Sequence, residues 1–161
     1  MSLEEVRAKN IQLVSEKALD CFTKNGIANT KVADIAKAAG LTERSVYRYF
    51  EAKSDIVIAA AFCYWNRTKE HISRELSMHD YRDLSGIEQI SIILNSYANI
   101  LFIDPEGIRF SLDAETALYS AGKNERVINR PPERFEEHSG PLSVAIEKGL
   151  KDGTVDPKAD I

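Results

Sequence analysis

The stretch "ADIAKAAGLTERSVYRYFEAK", residues 33–53, decides how this chain is read. Val32, Ile35, Ala36 and Ala39 fall on one face of a helix that opens at Thr30 and ends at Gly40. Two helices that cross steeply need a small residue at their contact, and Ala36 supplies it. The turn between them needs a left-handed backbone, which glycine adopts without a Cβ penalty; Gly40 stands there. Leu41 follows as an apolar residue to bury under the turn. Thr42 is a natural N-cap for the next helix, and Val46 is its inward residue. Glu43, Arg44, Ser45, Tyr47 and Arg48 are then left pointing mostly outward. A helix-turn-helix lays such a second helix in the DNA major groove. A tight helical hairpin in any helical protein uses the same residue types, so spacing alone leaves both readings open.

Working outward, nearly every segment has helical periodicity. Val6, Ile11, Val14, Ala18, Cys21 and Phe22 share a face over residues 3–25, before Gly26. The third helix runs from Thr42 to about Phe50, and a long fourth from about Lys53 to Leu76. After the polar break "SMHDYRDLSG", Ile87–Ile103 is apolar on nearly every side, which predicts burial on most sides. Asp104-Pro105 breaks it. A sixth helix takes 106–120 and a seventh 133–152, with a boundary at "RPP", 130–132. No alternating strand pattern occurs. The fold class is all-α: an N-terminal three-helix domain over 1–53 and a C-terminal helical domain over 54–161.

The 161 residues carry a formal charge of −4, which by itself is a poor fit to a polyanion such as DNA. The charge is uneven, however. Residues 1–53 hold nine basic and seven acidic side chains, while 54–161 hold twelve and eighteen. A basic head on an acidic body suits a nucleic-acid module joined to another domain. No apolar run approaches the roughly 20 residues of a membrane span, and the N-terminus lacks the apolar core of a signal peptide. Cys21 and Cys63 lie in apolar helical patterns and read as buried free thiols of a cytoplasmic protein.

"TKVADIAKAAGLTERSVYRYFEAKSDI", residues 30–56, resembles the DNA-binding domain of the TetR family of transcriptional regulators. Thr30, "IAKAAGL" at 35–41, "SVYRYF" at 45–50 and Lys53 carry the likeness, which extends over about residues 7–60. "AIEKGLKDGTVDPKADI" is similar to the segment that precedes the family's last helices. The resemblance implies a homodimeric regulator, most often a repressor, that binds a palindromic operator and releases it when a small molecule enters the C-terminal domain. It implies that Thr30 and Thr42 hold phosphates at helix N-termini. Tyr47, Tyr49 and Lys53 match positions that contact the backbone. Glu43, Arg44 and Arg48, with Ser45 beside them, are left for the bases, arginine pairing with guanine O6 and N7. The family usually continues into two more helices that form the dimer interface, so the C-terminal domain is expected to be incomplete at Ile161.

Phe62, Trp65, Leu94, Tyr97, Leu101, Phe110 and Leu118 are candidates to line an effector pocket for a largely apolar small molecule. The alternative is a filled core built of the same residues. Arg109 and Glu115 are its candidate polar groups. His71, Glu75 and His79 are spaced four apart, but the two histidines stand about 12 Å apart along a helix, too far to share one ion. No metal site, cofactor or catalytic constellation is expected: there is no phosphate loop, no G-x-S-x-G and no H-E-x-x-H. The rival to a DNA-binding regulator is a helical ligand-binding or protein-interaction module.

Overall fold

Helices here begin where a side chain can satisfy free backbone N–H groups. Ser2 and Glu5 exchange bonds in a capping box, Ser2 Oγ accepting from the Glu5 amide at 3.1 Å and Glu5 from the Ser2 amide at 2.8 Å. Thr42, Asp55, Ser85 with Glu88, and Asp104 do similar work further along. A computed structural model describes residues 2–77, 80–120 and 140–158. Its helices are α1 Leu3–Asn25, α2 Val32–Ala38, α3 Glu43–Val46, α4 Lys53–Ser77, α5 Gly86–Ile103, α6 Pro105–Ser120 and α7 Pro141–Asp152, with a 3-10 turn at Tyr81–Asp83. No strand occurs among the described residues. The fold is all-α, an N-terminal three-helix helix-turn-helix followed by a helical C-terminal part. The seventh helix expected over 133–152 is seen from Pro141; its earlier residues lie outside the described ones.

The described residues form two compact units. The first takes the chain up to Asn66 together with α6. Its core joins Val14, Leu19 and Phe22 of α1, Ile35 of α2, Val46 of α3, Ile56, Val57 and Tyr64 of α4, and Phe110, Ala114 and Leu118 of α6. The Phe22 and Phe110 rings stack at 5.8 Å, and Tyr64 meets Phe110 edge-on at 6.4 Å. Cys21 and Cys63 are only half-buried, a correction to the expectation of burial. Burial nonetheless pushes the Cys21 thiol up, helped by Asp20 and Asp34.

The second unit contains Arg67–Ile103 and α7. Here α5 departs from expectation. It buries one stripe, Gly86, Gln89, Ile93, Ser96 and Ile100, and leaves Leu94 52% and Phe102 84% exposed. The stripe is selected by fit rather than by apolarity. Gly86 lies so close to α7 that a Cβ on it would overlap the Gly149 backbone. Gln89 is tolerated because its amide donates to the Tyr81 and Leu84 carbonyls, each at 3.0 Å. With 18 residues and a mean hydropathy of 1.2, α5 also comes nearer to a spanning helix than the sequence reading allowed.

The end of α7 caps the start of α5. Gly153 is left-handed at φ 77°. Asp152 Oδ2 accepts from the Gly86 amide at 2.7 Å, and Thr154 Oγ1 accepts from the Ile87 amide at 3.1 Å. Gly86→Ala in an open helix would gain about 0.5–1 kcal/mol from reduced chain entropy. Here overpacking of a backbone contact should instead cost about 1–3 kcal/mol, so urea denaturation of the variant should show a lower midpoint, not a higher one. The same junction predicts an acid response. Hydrogen bonds from Thr154 and the Gly86 amide hold the Asp152 carboxyl below its ordinary range. A depressed carboxyl stabilises the fold above its unfolded pKa, and that contribution is lost as pH falls through the folded value. Thermal midpoints measured from pH 6 down to pH 3 should fall more for the native chain than for Asp152→Asn.

Candidate nucleic-acid interface

The turn at residues 38–42 is a Schellman motif. The Gly40 amide donates to the Lys37 carbonyl at 3.1 Å, and the Leu41 amide to the Ala36 carbonyl at 2.9 Å. Gly40 has φ 67°, where a side chain would be strained. Thr42 then caps α3 as expected, its Oγ1 accepting from the Ser45 amide at 3.2 Å. Regular α3 is only four residues long. Beyond it the chain continues in tight turns, the Tyr49 amide bonding the Val46 carbonyl at 2.9 Å. Val46 and Phe50 face the core, whereas Glu43, Arg44, Tyr47 and Arg48 are exposed and Ser45 is half-buried.

Thr30 is placed differently from expectation. Lys31, not Thr30, is the N-cap of α2, and the Lys31 amide donates to Asp34 at 2.9 Å. Thr30 is buried, with its hydroxyl donating to the Gly26 carbonyl at 2.8 Å and directed also at the Cys21 carbonyl at 3.3 Å. That hydroxyl secures the loop between α1 and α2. Lys53 is half-buried at the start of α4, where its Nζ donates to the Ile27 carbonyl at 2.5 Å. Two of its three donors remain.

Tyr49 meets three side chains. Asn10 Nδ2 donates to its hydroxyl at 3.0 Å. The Arg7 and Arg48 guanidinium groups lie 5.8 and 5.9 Å from its ring centroid. Arg48 Nη2 also reaches Ser45 Oγ at 3.3 Å. Arg7 and Asn10 escaped the sequence reading because nothing local in α1 announces a partner 39 residues away.

Three of the seven effector candidates come together. Phe62, Trp65 and Leu118 line a slot of about 90 Å³ between α4 and α6, with Ile58, Ala114 and Glu115. Phe110 is outside it, packed in the core. Leu94, Tyr97 and Leu101 are exposed on α5 of the second unit. Drug-sized sites enclose about 300–1,000 Å³, so the slot as it stands holds only a fragment. A broader polar cleft of about 530 Å³ lies along Ser73, Leu76 and Asp80–Asp83 in the second unit. Arg109 Nη2 donates to the Thr23 carbonyl at 3.3 Å and is not in the slot. His71 Nε2 stands 3.6 Å from Glu75; His79 lies outside the described residues.

Residues 15–60 match the family model "Bacterial regulatory proteins, tetR family". This segment is similar to the DNA-binding part of the tetR family of bacterial regulatory proteins. The HTH-type transcriptional regulator TtgR of Pseudomonas putida is 34% identical over 83 residues, 52% of this chain and 39% of that relative. The matched segment thus spans well under half of that relative's length. Two solved structures share the fold. The TetR-family regulator PfmR from Thermus thermophilus is 20% identical, with a TM-score of 0.55 over 91% of this chain and 75% of that one. FadR from Bacillus subtilis, solved in complex with stearoyl-CoA, is 15% identical, with a TM-score of 0.51 over 92% and 75%. The tetR-type segment coincides with the Schellman turn and the Thr42-capped helix, and the relatives that share it are regulators rather than enzymes.

Proposed function

We propose that this protein is a cytoplasmic transcriptional repressor of the tetR family that binds a palindromic operator as a homodimer and is released by a small molecule. One observation carries the reading. The exposed side of the α3 segment presents Arg44 and Arg48 beside a Thr42 cap and a Schellman turn, while Val46 and Phe50 fix its other side to the core. Arg44 and Arg48 read bases, with Glu43 and Ser45 beside them. Thr42, Tyr47, Tyr49 and Lys53 engage the phosphate backbone. The Thr30 side chain drops out of this set, because its hydroxyl is buried and bonded.

Residues 1–53 form the reading head in this proposal, and 54–161 supply effector binding and dimerisation. The effector is largely apolar, in keeping with Phe62, Trp65 and Leu118 around the slot and with a neighbour that carries a long-chain acyl thioester. Its entry moves α4, which bears Trp65 and, at its first residue, Lys53. Half-sites lie about one helical turn of DNA apart, so a small change in head spacing breaks the fit.

Selection of bound sequences from random duplex DNA, with solution mass measured alongside, tests the proposal. Enrichment of a palindrome by a dimer supports it. A dimer that enriches nothing favours the rival, a ligand-binding or interaction module, for which the exposed Leu94, Leu101 and Phe102 of α5 offer a surface.

A further inference from the structure

We propose that Arg7, on α1 and outside the helix-turn-helix, is a DNA-backbone contact that forms a phosphate clamp with the Tyr49 hydroxyl, beside the base-reading Arg48. The inference rests on the DNA-binding reading above. Two guanidinium groups lie within 6 Å of one aromatic centroid. Among the described residues neither forms an ion pair with a carboxylate. The acids on the same stretch of α1 do not fill that role. Glu5 is engaged with the Ser2 amide, and Glu4 is exposed without an ion pair.

Two like charges beside one ring make its surroundings favourable to an anion. The face of a ring attracts each cation and holds it in place. The position of the ring is itself fixed, since Asn10 donates to the Tyr49 hydroxyl. That hydroxyl keeps its own proton to give. Arg7 therefore offers a planar cationic fork, and Tyr49 an O–H donor, beside the α3 segment. A phosphodiester takes donors of this kind, and guanidinium binds phosphate in bidentate fashion. A base edge is the poorer match for Arg7, which comes from α1 and not from the element that reads bases. The contact should accordingly be blind to sequence.

The test is binding to a fluorescein-labelled duplex of mixed sequence, about 30 base pairs long, followed by anisotropy from about 50 to 200 mM KCl. Each phosphate contact adds about 0.9 to the slope of log affinity against log salt. Arg7→Ala should lower the slope by about 0.9 per bound chain. Its affinity deficit should then shrink about threefold between the two salt concentrations. Arg7→Lys, which keeps the charge, should hold the native slope. Arg7 is exposed, so both variants should melt with the native chain. An unchanged slope in Arg7→Ala overturns the clamp while leaving the proposed function standing. So does a lysine variant with the slope of the alanine one. Failure of the native chain to bind any duplex at the lowest salt overturns both.

Discussion

Phe110→Ala should cost about 3–5 kcal/mol of stability, the usual toll for emptying an aromatic site in a closed core. The ring is 2% exposed, lies parallel to Phe22 within 8° and receives the edge of Tyr64. Both aromatic pairs are lost with it, each worth about 0.5–1.5 kcal/mol beyond area. Natural domains keep only about 5–15 kcal/mol in all, so the loss is a large share of the total. Urea denaturation followed by circular dichroism measures it. Phe110→Leu, which leaves a smaller void, should recover more than half. A loss below about 1 kcal/mol for the alanine variant would show that α6 does not close this core. Helix α6 lies far beyond α1 in the sequence, yet Phe22 depends on it for its cover.

The second large effect concerns binding. Arg44→Ala with Arg48→Ala should reduce affinity for the selected duplex by about 2–6 kcal/mol, since one bidentate arginine–guanine pair is worth about 1–3. Mixed-sequence binding should fall much less, because it depends on the backbone contacts. Both arginines are exposed, so the thermal midpoint should not move. Titration of both duplexes at one salt concentration provides the check. If the double variant holds the selected duplex within about threefold of the native chain, the α3 segment is not the reader. A partner protein still bound by that variant would then speak for an interaction module.

Much of this was legible in the sequence wherever the cause is local. Gly40 had to be left-handed and is, and Thr42 had to cap and does. Asp104-Pro105 had to end α5 and does, and the aspartate also opens α6 by accepting from the Gly107 amide at 2.9 Å. Where the cause is distant, the reading failed in ways that have physical explanations. Thr30 and Lys31 compete for one cap position. The threonine lost it to two carbonyls at the end of α1 that no local rule sees. On α5 the apolar period allows more than one face. Burial went to the face with Gly86 and Ser96, because small side chains permit close approach and Leu94 or Leu101 do not. Of the candidate site, the exposed face of α3 was readable from spacing. The support that Tyr49 receives from Arg7 and Asn10 was not, because it spans the whole head.

The brevity of α3 has a consequence for anyone seeking to imitate it. A helix of four residues is far below the roughly 12–15 at which an isolated segment repays its own nucleation. Residues 42–50 copied as a free peptide would be a coil with two arginines, drawn to any nucleic acid and reading none. Stapling such a peptide into a longer regular helix would not reproduce the segment either, since after Val46 the native backbone tightens into short turns. A useful mimic would have to be a miniature scaffold, one that presents a single helical turn from beneath.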